Sequence, residues 1–258
     1  MSRNELIRTL AAESRAGGVH PGPVKEFDPK SIVGGKSGAF RAAIFGMNDG
    51  LVSNLSLIMG VAGAAADNNH FIVVAGMAGL LAGAFSMGAG EYVSMKVQRE
   101  LFERLIHLEA HELASDPEEE HEELARIYES RGISPELADQ ITTEIHRDPE
   151  LALETHAREE LGLDPDDLGS PWAAALSSFV MFAIGAVIPL LPFLFGSGTA
   201  AVLTSIIVSA VALFAVGAVL TRFTGRPPLL SGVRMLLIGV AAAGITFAIG
   251  SLFHVGTS

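Results

Sequence analysis

Asp49 and Glu91 each lie inside a long apolar stretch, Ala42–Ala66 and Phe71–Met95. An ionised side chain near the centre of a bilayer costs about 2.5–3.5 kcal/mol even on lenient insertion scales. Such groups face a bundle interior or a polar route, where a proton or cation balances them. The pair therefore points to a path for something positive. Asp49, Ser53, Ser56 and Gly60 follow one another at spacings of 4, 3 and 4, which is one face of a helix. Met87, Glu91, Ser94 or Met95, and Gln98 make a similar stripe. Two polar stripes on apolar helices should meet each other rather than lipid. The plainer reading is polar glue between packed helices, a job that neutral Ser or Asn would do at lower cost.

The donor types narrow the cation. Carboxylates suit hard or borderline divalent ions, and the thioether of Met87 adds softness that Mg²⁺ and Ca²⁺ do not reward. Oxygen and sulfur without thiolate favour Fe²⁺ or Mn²⁺ over Cu⁺ or a structural Zn²⁺. The chain has no cysteine, so thiolate sites and disulfides are excluded.

A second set of donors lies in residues 97–168. Glu109 and Glu112 are three apart, as are Glu120 and Glu123, so each pair shares a helix face and can converge on one ion. Glu100, Glu103, His107 and His111 extend that surface. His156 stands one turn before Glu160, beside Glu159. The competing reading is a solvated acidic face, the usual fate of glutamate runs, and Glu118, Glu119 and Glu120 also suit a helix N-terminus on dipole grounds. Glu118-x-x-His121 matches half of a di-iron bundle signature, which requires two such motifs on facing helices. There is no phosphate-binding glycine loop and hence no visible nucleotide drive.

The elements that must hold these groups are helices. Mean hydropathy is positive, and net charge is −12. That charge is concentrated: residues 97–168 hold 22 acids against 6 arginines and no lysine, while the remainder is mildly basic. An acidic insert of this kind repels nucleic acid and attracts cations. Five apolar segments of roughly 19–25 residues can each cross about 30 Å of hydrocarbon: Ala42–Ala66, Phe71–Met95, Trp172–Phe195, Thr199–Leu220 and Met235–Phe253. The expected organisation is a polar lead-in over 1–36, spans one and two within 37–96, the acidic helical domain over 97–168, and spans three to five within 169–258. The lead-in is at best a short helix, with no apolar core of a cleaved signal peptide. Lys25, Lys30, Lys36 and Arg41 precede the first span, and Arg222, Arg226 and Arg234 border the fourth connection. The connections around Asp67–His70 and Gly196–Gly198, and the tail after His254, carry no Lys or Arg. The positive-inside rule then puts the N-terminus and the insert in the cytoplasm and the C-terminus outside.

Inside the insert, Asp116-Pro117, Ser134-Pro135 and Asp148-Pro149 each place a capping side chain before a proline at the first helical position. Gly132 and Gly162 suit helix ends. The second span should run on to about Ala114, followed by helices over 117–131, 135–147 and 149–161. Pro189 and Pro192 should kink the third span, and Trp172 suits an interfacial anchor.

Three separated motifs occur in order: Asn48-Asp49-Gly50-Leu51-Val52-Ser53-Asn54-Leu55, Ser86-Met87-Gly88-Ala89-Gly90-Glu91-Tyr92-Val93-Ser94, and a Glu-rich insert before Ile188-Pro189-Leu190-Leu191-Pro192. Over about residues 36–255 the chain resembles the vacuolar iron transporter family. The resemblance implies five transmembrane helices with a cytoplasmic metal-binding insert between spans two and three, and a homodimer with its pore between subunits. It also implies exchange of cytosolic Fe²⁺ or Mn²⁺ for protons, the metal being substrate rather than prosthetic group, with no enzymatic reaction. It casts Asp49 and Met87 as pore ligands; Glu91, at the inner end, and Ser53, on the face of Asp49, are read from their placement as lining the same route. Glu109, Glu112, Glu120, Glu123 and Glu160 match the family's cytoplasmic metal-binding glutamates. Plant members have Met where this chain has His156, and a family Glu aligns with Ala157. A bacterial plasma membrane is the expected location, with export from the cytosol. Two other classes remain open: a membrane-tethered metal buffer or sensor, and a membrane scaffold whose acidic insert docks a basic partner.

Overall fold

The computed structural model describes residues 36–65, 68–225 and 227–253. The lead-in with Lys25 and Lys30, together with Asp67, Arg226 and the tail from His254, lies outside the described residues. Within them the chain is all-helical: α1 (Lys36–Ala64), α2 (Asn69–Ser115), α3 (Pro117–Ser130), α4 (Pro135–Ile145), α5 (Pro149–Glu159), α6 (Pro171–Phe195), α7 (Gly198–Thr224) and α8 (Pro228–Leu252). Five of these, α1, α2, α6, α7 and α8, are long and apolar enough to cross a membrane. Large apolar side chains such as Phe85, Leu203, Ile207, Val211 and Leu237 point outward from them. A surface of that kind is stable against lipid and not against water.

The start signals act as the residue types require. Ser134 accepts from the Leu137 amide, Asp148 from the Glu150 and Leu151 amides, and Ser170 from the Ala173 amide. Asp116 differs from expectation. It makes no side-chain cap; its carboxylate accepts the Ser115 hydroxyl at 2.9 Å. Gly132 and Gly162 follow their helices with positive φ, 91° and 66°, where a Cβ would be strained. α6 runs as one helix through Pro189 and Pro192.

α1 is the central strut of the membrane part. A Cβ on Gly46 would meet the Ser178 carbonyl oxygen at 2.5 Å, and one on Gly50 the Phe182 carbonyl oxygen at 2.2 Å. Gly185 of α6 lies equally close to the Met47 carbonyl, and Gly63 and Gly250 do the same between α1 and α8. Small residues thus bring backbones together where no hydrophobic force between helices exists. Asn54 of α1 donates to the Ala186 carbonyl of α6 at 2.6 Å, and Ser205 of α7 to the Pro189 carbonyl at 2.7 Å. These polar contacts lock the bundle around an apolar core of Leu55, Ile58, Met59, Ile72, Leu190 and Phe193.

α2 has 47 residues, about 70 Å at 1.5 Å per residue, more than twice the hydrocarbon thickness. Its apolar half ends near Met95. The remainder leaves the bundle as a polar helix; α3 and α5 fold against it, and α4 packs on α3 and α5. Trp172, at the start of α6, lays its ring 4.8 Å from that of Tyr92 at this boundary.

Candidate metal centre

Four side chains from three helices converge on the polar half of α2. They are Glu109 of α2, Glu120 in the first turn of α3, His156 near the end of α5, and Glu160, which caps α5. One ligand atom from each lies within 4.8 Å of the others. His156 Nδ1 is 2.9 Å from Glu109 Oε1, 3.4 Å from Glu120 Oε2 and 3.6 Å from Glu160 Oε2. Glu109 is 2% exposed and His156 0%. Carboxylates are almost never buried unless paired, and here the nearest groups are other carboxylates and an imidazole. Neither Glu109 Oε1 nor His156 Nδ1 closes a hydrogen bond of good geometry. Donor atoms brought together this way require a cation or a proton between them.

The proton inventory follows from burial. Glu109 is pushed up to about 7 by burial first, then by the charges of Glu160, Glu120, Glu112 and Glu123. Glu120 and Glu160 are raised as well, each by burial and then by neighbouring carboxylates. His156 is pushed down to about 4 by burial and by His146. Near neutral pH Glu109 is therefore about half protonated, and the His156 imidazole is neutral and able to ligate. Glu112 and Glu123 are more exposed neighbours that lend negative potential without entering the tight set.

Glu100 and Glu103 lie elsewhere. On the stretch of α2 between membrane and cluster they pair with Lys96 at 3.2 Å and Arg99 at 2.7 Å. His107 and His111 are exposed on the same helix. Glu118 is exposed, and His121 faces Asp139 at 2.8 Å rather than a metal set.

In the membrane half, Asp49 and Glu91 are partly buried, and neither forms an ion pair among the described residues. Glu91 Oε2 is buried without a hydrogen-bond partner, as is Ser56 Oγ. Ser53 is exposed, and its hydroxyl donates to the Asp49 backbone carbonyl at 2.5 Å. Met87 packs beside Phe182, Leu80 and Ala84. α1 and α2 run antiparallel in a register that puts Gly38 beside Met95 and Gly79 beside Asn54. That register brings Asp49 level with Ala84, so Met87 is about one helical turn away in depth and Glu91 about two.

His146 is a residue that sequence reasoning missed. It caps α4, and its Nε2 lies 3.2 Å from Nε2 of His156. Ten residues and a turn separate the two, so no spacing rule could have joined them.

A sequence profile of the VIT family matches residues 40–251. Vacuolar iron transporter 1 of Oryza sativa subsp. japonica is 32% identical over 239 residues, 92% of this chain and 92% of that protein. Vacuolar iron transporter of Acanthamoeba castellanii is 34% identical over 223 residues, covering 84% and 80% of the two chains. Vacuolar iron transporter 1 of Arabidopsis thaliana is 32% identical over 213 residues, covering 82% and 85%. Five apolar spans, an acidic helical insert and similarity along most of its length make this chain a member of the VIT family.

Proposed function

We propose that the protein exports Fe²⁺ or Mn²⁺ from the cytosol in exchange for protons, as a homodimer. The observation that carries the reading is the convergence of Glu109, Glu120, His156 and Glu160 on one point, on the helix that also bears Met87 and Glu91. Three carboxylates and one neutral imidazole are a donor set for a borderline divalent ion. The insert gathers metal, and its net negative charge raises the local concentration. Glu91 lies about 27 Å from Glu109 along the continuous α2, on the same face, and receives the ion at the inner end of the membrane route. Asp49 and Met87 then hold it at depth, with Ser53 on the same face of α1. A carboxylate out of water holds a proton or a cation but not neither, and that either-or is the basis of exchange.

A second copy of the chain is part of the proposal. Asp49, Ser53 and Ser56 sit on a face of α1 that one chain leaves incompletely covered. Beside it a cleft of about 620 Å³ is lined by Ser56, Leu57, Gly60, Phe71 and Thr246. A partner across this face would supply the missing wall. Loop charges orient the insert to the cytosol. In a bacterial plasma membrane that orientation expels metal from the cell. In a vacuolar membrane, as the relatives' names have it, it would fill the vacuole.

Proteoliposomes loaded with a pH dye test the reading. Wild-type protein should move Mn²⁺ and protons in opposite directions, and Asp49→Asn should abolish both fluxes. Metal binding without flux in the wild type would make the protein a tethered buffer or sensor. Full flux in Asp49→Asn would overturn the assignment of the route.

A further inference from the structure

The two ring nitrogens of His156 face different worlds. Nδ1 faces Glu109, Glu120 and Glu160. Nε2 faces His146 Nε2 at 3.2 Å. Two imidazole nitrogens at that distance are compatible only when one carries hydrogen and the other a lone pair. Nδ1 of His146 is buried with no hydrogen-bond partner, so the choice is set from the carboxylate side. To ligate a cation held among Glu109, Glu120 and Glu160, Nδ1 of His156 must present its lone pair. Its Nε2 then carries the hydrogen and donates to the Nε2 lone pair of His146.

We propose that His146 is a positioning residue: by accepting from Nε2 of His156 it fixes the Nε2–H tautomer and ring orientation of His156 so that Nδ1 ligates the metal. The inference rests on the metal-gathering reading above and adds to it a residue outside the ligand set. A ligating histidine commonly donates its other N–H to a carboxylate, carbonyl or water. This chain uses a second imidazole. The pair is held where the end of α4 meets α5, and the Asp148 cap on the Glu150 and Leu151 amides fixes the turn between them. The ring planes are inclined at 48° with centroids 5.2 Å apart, so the contact is through the nitrogens at the ring edges rather than by stacking.

The test is Co²⁺ titration of the full chain in detergent, read by its visible absorption and by calorimetry. Four proteins are compared: wild type, His156→Ala, His146→Leu and His146→Gln. Leu keeps bulk and removes the acceptor. Gln places an amide oxygen near the lost Nε2. Expected is a 10–100-fold loss of affinity in His146→Leu, with its spectrum moving toward that of His156→Ala. His146→Gln should keep the wild-type spectrum and affinity within about threefold. If His146→Leu binds like wild type, or if Gln fails as badly as Leu while the helical content of both is intact, His146 only fills space and the inference falls. If the wild type itself binds no Co²⁺, the metal-gathering reading falls instead.

Discussion

Acidification should expel metal from the insert, with a slope set by one carboxyl. In the empty cluster Glu109 titrates near 7, so metal must displace its proton at any lower pH. Between pH 7.5 and pH 5.5 the fraction of clusters with Glu109 ionised falls about 25-fold, and apparent affinity should fall by the same factor. The sign is unambiguous, because Glu120 and Glu160 are also raised and can only add to the loss at the acid end. At pH 6.5 each metal bound should release about 0.8 proton, against about 0.2 at pH 7.5. The assay is calorimetric titration with Mn²⁺ in pairs of buffers of different ionisation enthalpy, on the full chain carrying Asp49→Asn so that the membrane route is silent. Glu109→Gln keeps the shape and one ligand oxygen but has no proton to lose. It should bind more weakly at pH 7.5 and show a much shallower slope down to pH 5.5, the remainder coming from Glu120 and Glu160. Release below about 0.2 proton at pH 6.5, or an undiminished slope in Glu109→Gln, would refute the account of the cluster as a proton–metal exchanger.

Three further outcomes follow from the packing and the ion pairs. Gly50→Ala puts a methyl 2.2 Å from the Phe182 carbonyl oxygen, a backbone atom that cannot swing aside, so thermal unfolding in detergent should register a loss of about 1–3 kcal/mol; Gly90→Ala, which meets nothing within 4 Å, should be neutral or stabilising. Asn54→Ala removes the buried bond to the Ala186 carbonyl and should cost about 1 kcal/mol in the same measurement, in line with other interhelical hydrogen bonds in membranes. Glu100→Gln with Glu103→Gln should change Mn²⁺ affinity by less than about threefold, because both carboxylates are exposed, salt-paired and outside the converging set; a larger loss would extend the gathering surface along α2.

Much of the architecture could be read before folding, because it is written in local chemistry. Apolar runs gave the five spans, and of the three expected caps Ser134 and Asp148 accept the amides of their helix starts while Asp116 does not. α8 begins at Pro228, seven residues before the apolar run that announced it at Met235. Arg234 interrupts hydropathy without interrupting a helix. The centrality of α1 was less legible. Gly46 and Gly50 signal a close approach, but nothing in the spacing says that the neighbour is α6 rather than α2. The three-apart glutamates illustrate a second limit. Glu109 and Glu112 share a face, as do Glu120 and Glu123, yet only Glu109 and Glu120 enter the tight set. His146 lay beyond any local rule, since its partner across the turn is defined only once α4 and α5 pack.

The distance between the two carboxylate sites constrains how they can cooperate. At physiological ionic strength the Debye length is about 8 Å, so the roughly 27 Å of α2 between Glu109 and Glu91 spans more than three screening lengths. The field of the cluster therefore does not reach Glu91. Along the way Lys96 with Glu100 and Arg99 with Glu103 form mutually neutralising pairs, which offer a passing cation neither a trap nor a barrier of single sign. In the proposed mechanism the insert raises the metal concentration at the mouth of the route, but it does not pull the ion along it. If that is right, removing the cluster should raise the metal concentration needed for half-maximal flux and leave the maximal flux unchanged. Proteoliposome transport by Glu109→Ala with Glu120→Ala separates the two: a fall in maximal flux would mean that α2 transmits occupancy of the cluster mechanically to Met87 and Asp49.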